Sequence, residues 1–230
     1  MKKHITHTAL CLAMVAMVGC NNPADKVDAA KVNEPKAPSA PETNAPATPA
    51  PAATSASAAK AYVISADSKV EFLASKVLPG GETPGSFKKF TGQLNVADGK
   101  FSPEGSKIVI DVDSIHTEKP KLTAHLKNED FFDVPKFPTA TFAATGIAPM
   151  PEDATKQNLT GDLTMHGVTK SITFPATINV SDAAVTVKAE FHINRYDWGM
   201  EYKGNADNMI RKEVVLKMDV TAKPGAAAAN

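Results

Sequence analysis

Val185, Val187, Ala189, Phe191 and Ile193 form an unbroken every-second-residue apolar stripe, and this period of two recurs through most of the chain beyond residue 60. A helix gathers residues three and four apart on one face, whereas a strand gathers every second one. The period therefore excludes an all-helical fold at the outset. The same alternation joins Val70, Phe72 and Ala74; Gly92, Leu94 and Val96; and Ile108, Ile110 and Val112. It returns in Ala140, Phe142 and Ala144, in Leu159, Gly161, Leu163 and Met165, and in Ile172, Phe174, Ala176 and Ile178. Leu216, Met218 and Val220 close the set. These runs read as half-buried antiparallel strands with one polar face.

About eight such strands, mostly joined in sequence, predict an all-β fold. A closed antiparallel barrel removes the exposed edges and is the leading architecture, with a two-sheet sandwich as the alternative. Asp98-Gly99 carries a hairpin signal. One stretch breaks the period: "TEKPKLTAHLKNEDFFDV". Pro120 suits a first helical turn, and Leu122 and Leu126 share an inward stripe, so a single short helix is expected there.

The inward list mixes Phe with Gly and Ala at Gly92, Ala140, Ala144, Gly161, Ala176 and Ala189. An eight-stranded barrel is either filled by its own side chains or just open enough for one ligand. The small residues permit a cavity, and close packing by larger neighbours accounts for them equally well. The proposed inner wall includes Phe72, Leu94, Ile110, Phe142, Leu163, Phe174, Phe191 and Met218. Phe131 and Phe132 serve either as a hydrophobic lid or as one wall of a tunnel.

The ends of the chain differ from its middle. Residues 1–19 begin with Lys2 and Lys3 and continue as a short apolar run, which reads as a signal peptide and not a spanning helix. The run ends in "MVGC", which resembles the lipobox of bacterial lipoproteins. That resemblance implies cleavage before Cys20, lipid of the palmitate type on Cys20, and anchoring to a membrane. Asn21 follows the cysteine, and by the lipoprotein rule this points to the outer membrane, periplasmic face. Only Cys11 and Cys20 are present, so a domain beyond residue 60 must hold itself together without disulfides.

Residues 20–60 are rich in Ala, Pro, Ser and Thr and contain no aromatic residue. They read as a disordered tether able to reach up to ~120 Å if fully extended. Residues 61–223 are long enough for one domain, and 224–230 repeat the tether composition as a tail. The formal net charge is +0 with no basic stripe, which argues against nucleic acid as a partner.

Little in the sequence points to catalysis. His116, His125, His166 and His192 are scattered, with no H-E-x-x-H or H-x-H pair and no domain cysteine. Neither a metal site nor a resident cofactor is expected, and no nucleophile stands at a recognisable spacing from a base. His166-Gly167 lies between two alternating runs and reads as a turn. "NRYDWGMEY" is the richest polar-aromatic cluster. Arg195 and Asp197 are spaced to share one strand face, and Trp198 offers one donor. With His125, these residues are candidates for a polar barrel mouth, while a closing plug is the competing use of the cluster.

"HLKNEDFFDVPKFPTATF", "LTGDLTMHGVTKSITFP" and "INRYDWGM" resemble, in that order, the signature stretches of the YceI-like family. "SKVEFLASKV", "GSFKKFTGQLNV" and "IVIDVDSIHT" add to the resemblance, which spans about residues 61–222. It implies a closed eight-stranded antiparallel lipocalin-like barrel with one short helix. It also implies non-catalytic binding of a long isoprenoid lipid, a polyprenyl chain or a quinone tail, for carriage, storage or protection. A homodimer is compatible with it. Leu122 and Thr123 depart from the Arg-Asp that the family often places before its His-Leu, and "LPGGETPGSF" is a longer first connection. A solid barrel that binds a protein partner is the competing expectation, and an enzyme acting on the lipid is the third.

Overall fold

The computed structural model describes residues 22–33, 59–77, 81–202 and 210–225. In chain order the strands are β1 (Lys31–Asn33), β2 (Lys60–Ile64), β3 (Lys69–Lys76), β4 (Glu82–Phe87), β5 (Phe90–Ala97) and β6 (Lys100–Asp111). Then come β7 (Ile115–Thr117), helix α1 (Pro120–Leu126), β8 (Thr139–Pro149), β9 (Gln157–Met165), β10 (Val168–Val180), β11 (Val185–Asn194) and β12 (Ile210–Pro224).

The barrel segments make eight staves. β2 and β3 are one stave with a kink, because Val63 pairs with Gln93 and Val70 with Phe87 along a single continuous hairpin. β4 and β5 are its second arm. β6 and β7 form the third stave, and β8 to β12 supply the other five. β12 pairs with β11 on one edge and with β2 and β3 on the other, so the ring is closed and every pairing in it is antiparallel.

Local chemistry sets the turns. Asp98 (φ 52°) and Gly99 (φ 71°) join β5 to β6, and His166 (φ 49°) and Gly167 (φ 73°) join β9 to β10. Two successive positive φ angles between paired strands match the right-handed twist of a hairpin. His166 is therefore a turn residue.

The apolar stripes converge inside. Phe174 and Phe191 stack with ring centroids 4.0 Å apart, and Phe142 tilts against Phe174 at 5.4 Å. Both readings of the small inward residues find a place. A Cβ on Gly161 would lie 2.3 Å from the Phe142 ring, so that glycine is already filled by its neighbour. Ala74 and Ala140 instead face open space.

The N-terminal segment corrects one expectation. Residues 22–33 fall within the tether expected over 20–60, yet they form a 3-10 turn (Pro23–Lys26) and then β1, which pairs with β10. Asn22 caps the turn, its Oδ1 accepting the Ala24 N–H at 3.2 Å. Ala24 and Ala30 are buried. Their side chains are small and the strand is three residues long, so no periodic signal marks it. The rest of the proposed tether (34–58), the leader with Cys20, and the tail beyond 225 lie outside the described residues.

Candidate ligand-binding site

Between the staves lies an apolar cavity of about 340 Å³. Ladder register places its wall. β3 contributes Val70, Phe72 and Ala74; β6 contributes Ile108 and Ile110; β8 contributes Ala140 and Phe142. β9, β10, β11 and β12 add Leu163, Phe174, Phe191 and Met218. The cavity reaches the end of the barrel covered by α1, where Leu122, Leu126, Phe131, Phe132 and Met200 roof it. Its polar lining residues are Ser75, Lys76, Thr83, Lys119 and Arg195.

Nine of the ten residues expected on the inner wall therefore line this cavity. Leu94 does not. It faces a smaller apolar void of about 40 Å³ with Phe101, Leu159 and Val220. Leu94 pairs with Tyr62 near the opposite end of its stave, where the interior narrows. Ile108, Phe142 and Met218 line both spaces and stand between them.

The expected polar mouth is only partly assembled. Arg195 reaches the cavity wall at 4% exposure. Its Nε–H donates to the Arg211 carbonyl at 3.4 Å, another N–H donates to the Met200 carbonyl, and the guanidinium lies 4.7 Å from the Tyr196 ring centroid. A guanidinium keeps its charge in a protein, so a fixed cation borders the apolar space.

Trp198 is not a mouth residue. It is fully buried, and its indole N–H donates to the Leu163 carbonyl at 3.1 Å. Arg195 and Asp197 do not share a strand face, because Arg195–Trp198 is a 3-10 turn that Asn194 caps and Gly199 ends in the left-handed region. Asp197 is half-buried and away from the cavity wall. His125 also stands behind the wall. Its ring packs edge-on against Phe131 and Tyr202, and its Nε2 lies 3.7 Å from the Asp130 carboxylate.

His166 does more than turn the chain. Its Nδ1 meets the Trp198 carbonyl at 3.0 Å, and its ring packs edge-on against Phe137. The hairpin tip and the 3-10 turn are thus bound to each other twice, through His166 and through the indole. His166→Asn keeps a residue that tolerates positive φ and removes the ring. It is expected to cost about 1 kcal/mol in urea denaturation, the usual size of one hydrogen bond, and to leave ligand occupancy unchanged.

Sequence reasoning missed Lys76, Thr83 and Lys119 on the wall, since single polar residues at strand and helix ends carry no pattern. Among the described residues no group of three His, Cys, Asp or Glu side chains could hold one metal ion, and no helix is long and apolar enough to cross a membrane.

Comparison with known proteins fits this geometry. The model of the YceI-like domain matches residues 62–222. A UPF0312 protein of Pseudomonas fluorescens (strain SBW25) is 33% identical over 172 residues, covering 69% of this chain and 86% of that protein. A UPF0312 protein of Pseudomonas putida (strain GB-1) is 38% identical over 128 residues, and the match spans 53% of this chain and 63% of the relative's length. Among solved structures, BcnA of Burkholderia cenocepacia has a TM-score of 0.58 at 28% identity, covering 69% of this chain and 98% of BcnA. A polyisoprenoid-binding domain from Saccharophagus degradans has the same TM-score at 18% identity, covering 72% and 99%, a likeness of fold. A match over residues 62–222 takes in every stave of the barrel, and on that ground the chain belongs to the YceI-like family.

Proposed function

We propose that the barrel binds a long isoprenoid lipid, a polyprenyl chain or a quinone tail, and carries, stores or protects it without chemical change. The observation that carries this reading is the cavity: apolar along its length, about 340 Å³, and bordered by cationic side chains at the α1 end. That volume lies within the usual range for small-molecule pockets. An isoprenoid tail offers only apolar surface, and each buried methylene-sized group contributes about 0.8 kcal/mol. About ten such groups offset a large part of the cost of association. Arg195, Lys76 and Lys119 would then meet the polar head. The similar domain from Saccharophagus degradans is described as polyisoprenoid-binding, which supports the ligand class. Cys20 would carry the lipid anchor and hold the barrel at the periplasmic face of the outer membrane.

Native mass spectrometry with lipid extraction, on the full chain purified from bacterial cells, tests the reading. A stoichiometric apolar passenger is expected. A clean apo mass that takes up no added polyprenyl lipid or quinone would remove the reading in favour of a barrel that binds a protein partner.

A further inference from the structure

The wall of the barrel has a seam. β10 and β11 pair only from Ala176–Ala189 to Val180–Val185. Towards the α1 end the two strands part, and residues 29–33 stand between them. Lys31, Val32 and Asn33 pair with Thr173, Ile172 and Ser171 of β10. On the other side the Ala30 N–H donates to the His192 carbonyl at 2.9 Å, and the His192 N–H donates to the Asp28 carbonyl at 3.0 Å. The N-terminal segment thus supplies the backbone partners that β10 and β11 do not supply to each other there.

The segment also straps the outer surface. Ser75 of β3 donates to Asn22 Oδ1 at 3.4 Å, the 3-10 turn lies against β12, and His192 Nδ1 meets the Val27 carbonyl at 3.2 Å. Val215 pairs with His192 and sits between two cavity-lining residues, so its side chain points outward. It is nevertheless only 2% exposed. Inside the seam, Ile172, Phe174, Phe191 and Ile193 all line the cavity. The stacked rings of Phe174 and Phe191 face the ligand space where the two backbones part.

We propose that residues Asn22–Asn33 are a releasable seam strand whose departure opens a lateral route for lipid between β10 and β11. The segment is built to leave before the barrel unfolds. Its strand has three residues, against nine in the β9–β10 ladder, and its apolar burial amounts to two alanines with Pro23, Val27 and Val32 only partly buried. Elements with few apolar contacts open locally at lower cost than core strands. Position fits the purpose. Asn22 follows Cys20 by two residues in the sequence, so the anchor proposed above on Cys20 would hold the strap, and the seam it closes, close to the bilayer. The lipid route rests on the ligand reading above; the release of the strand does not.

The test uses the full chain, with hydrogen exchange read at the Ala30 and His192 amides. Transfer of an isoprenoid quinone from vesicles of phosphatidylethanolamine and phosphatidylglycerol is measured alongside. Ala30→Pro deletes the N–H that donates to His192, at a residue outside every strand of the barrel. It should raise exchange at His192 and the transfer rate at least about tenfold, with the main unfolding transition little changed. Asn33→Cys with Ser171→Cys places thiols on a cross-strand pair, so that oxidation locks the strap. The lock should slow exchange and transfer at least about tenfold, and reduction should restore both. If Ala30 and His192 exchange only when the whole barrel unfolds, or if the lock leaves exchange unchanged, the releasable strand is wrong. If exchange responds but transfer does not, the lateral route is wrong. No uptake in any form overturns the ligand reading, and the route falls with it.

Discussion

Ala74→Phe combined with Ala140→Phe should empty the barrel of lipid while leaving it folded. Both alanines face the cavity, one from β3 and one from β8. Two added rings would take up much of a space of about 340 Å³. A ligand that loses about four buried methylene-sized contacts loses about 3 kcal/mol, or about a hundredfold in affinity. The substitution bears differently on the protein. Overpacking a filled core costs about 1–3 kcal/mol per site, but here the added atoms enter space that is already open and apolar. The expected result is therefore co-purifying lipid reduced about a hundredfold, with a urea midpoint close to that of the parent. Lipid extraction and denaturation on the same preparation check both halves. Unchanged lipid content would mean that the ligand sits elsewhere, and the interior would lose its assigned role.

The barrel was legible because strands report their inward face at every second residue. The stripe ending in Phe191 and Ile193 marks one wall by periodicity alone, and the opposing stripe through Ile172 and Phe174 marks its neighbour. The roof was legible for the same kind of reason, since Leu122 and Leu126 are one helical turn apart. Other features left no mark. Gly161 reads as empty volume, but the Phe142 ring occupies it, and only cross-strand register brings those two together. Leu94 has the right face and the wrong depth, because periodicity gives direction and not distance along a stave. The strap is silent in sequence, since it is held mainly by backbone hydrogen bonds, two small alanines and the single Asn22 side chain, none of which makes a periodic pattern. Trp198 reads equally as a donor at a mouth or as part of a closing plug, and nothing in "NRYDWGM" decides between them by saying that the chain turns there and drives the indole inward.

Trp198→Ala should accordingly have the largest effect of any single substitution on stability. The side chain is fully buried among the core residues. Truncating a buried Trp costs about 3–5 kcal/mol through lost burial and the cavity left behind. The Leu163 carbonyl also loses its indole donor, which adds about 1 kcal/mol or more. The total, about 4–6 kcal/mol, rivals the whole stability of many domains. Trp198→Phe separates the two contributions, keeping most of the apolar mass and deleting the N–H, with an expected loss of about 1–3 kcal/mol. Urea denaturation with linear extrapolation gives both values. Because the same turn carries Arg195 to the cavity wall and its Trp198 carbonyl meets His166, the Ala variant should also loosen the α1 end of the barrel and raise the rate of lipid release. A loss below about 1 kcal/mol would mean that the turn collapses around the missing ring, and the plug would then have no part in holding that end closed.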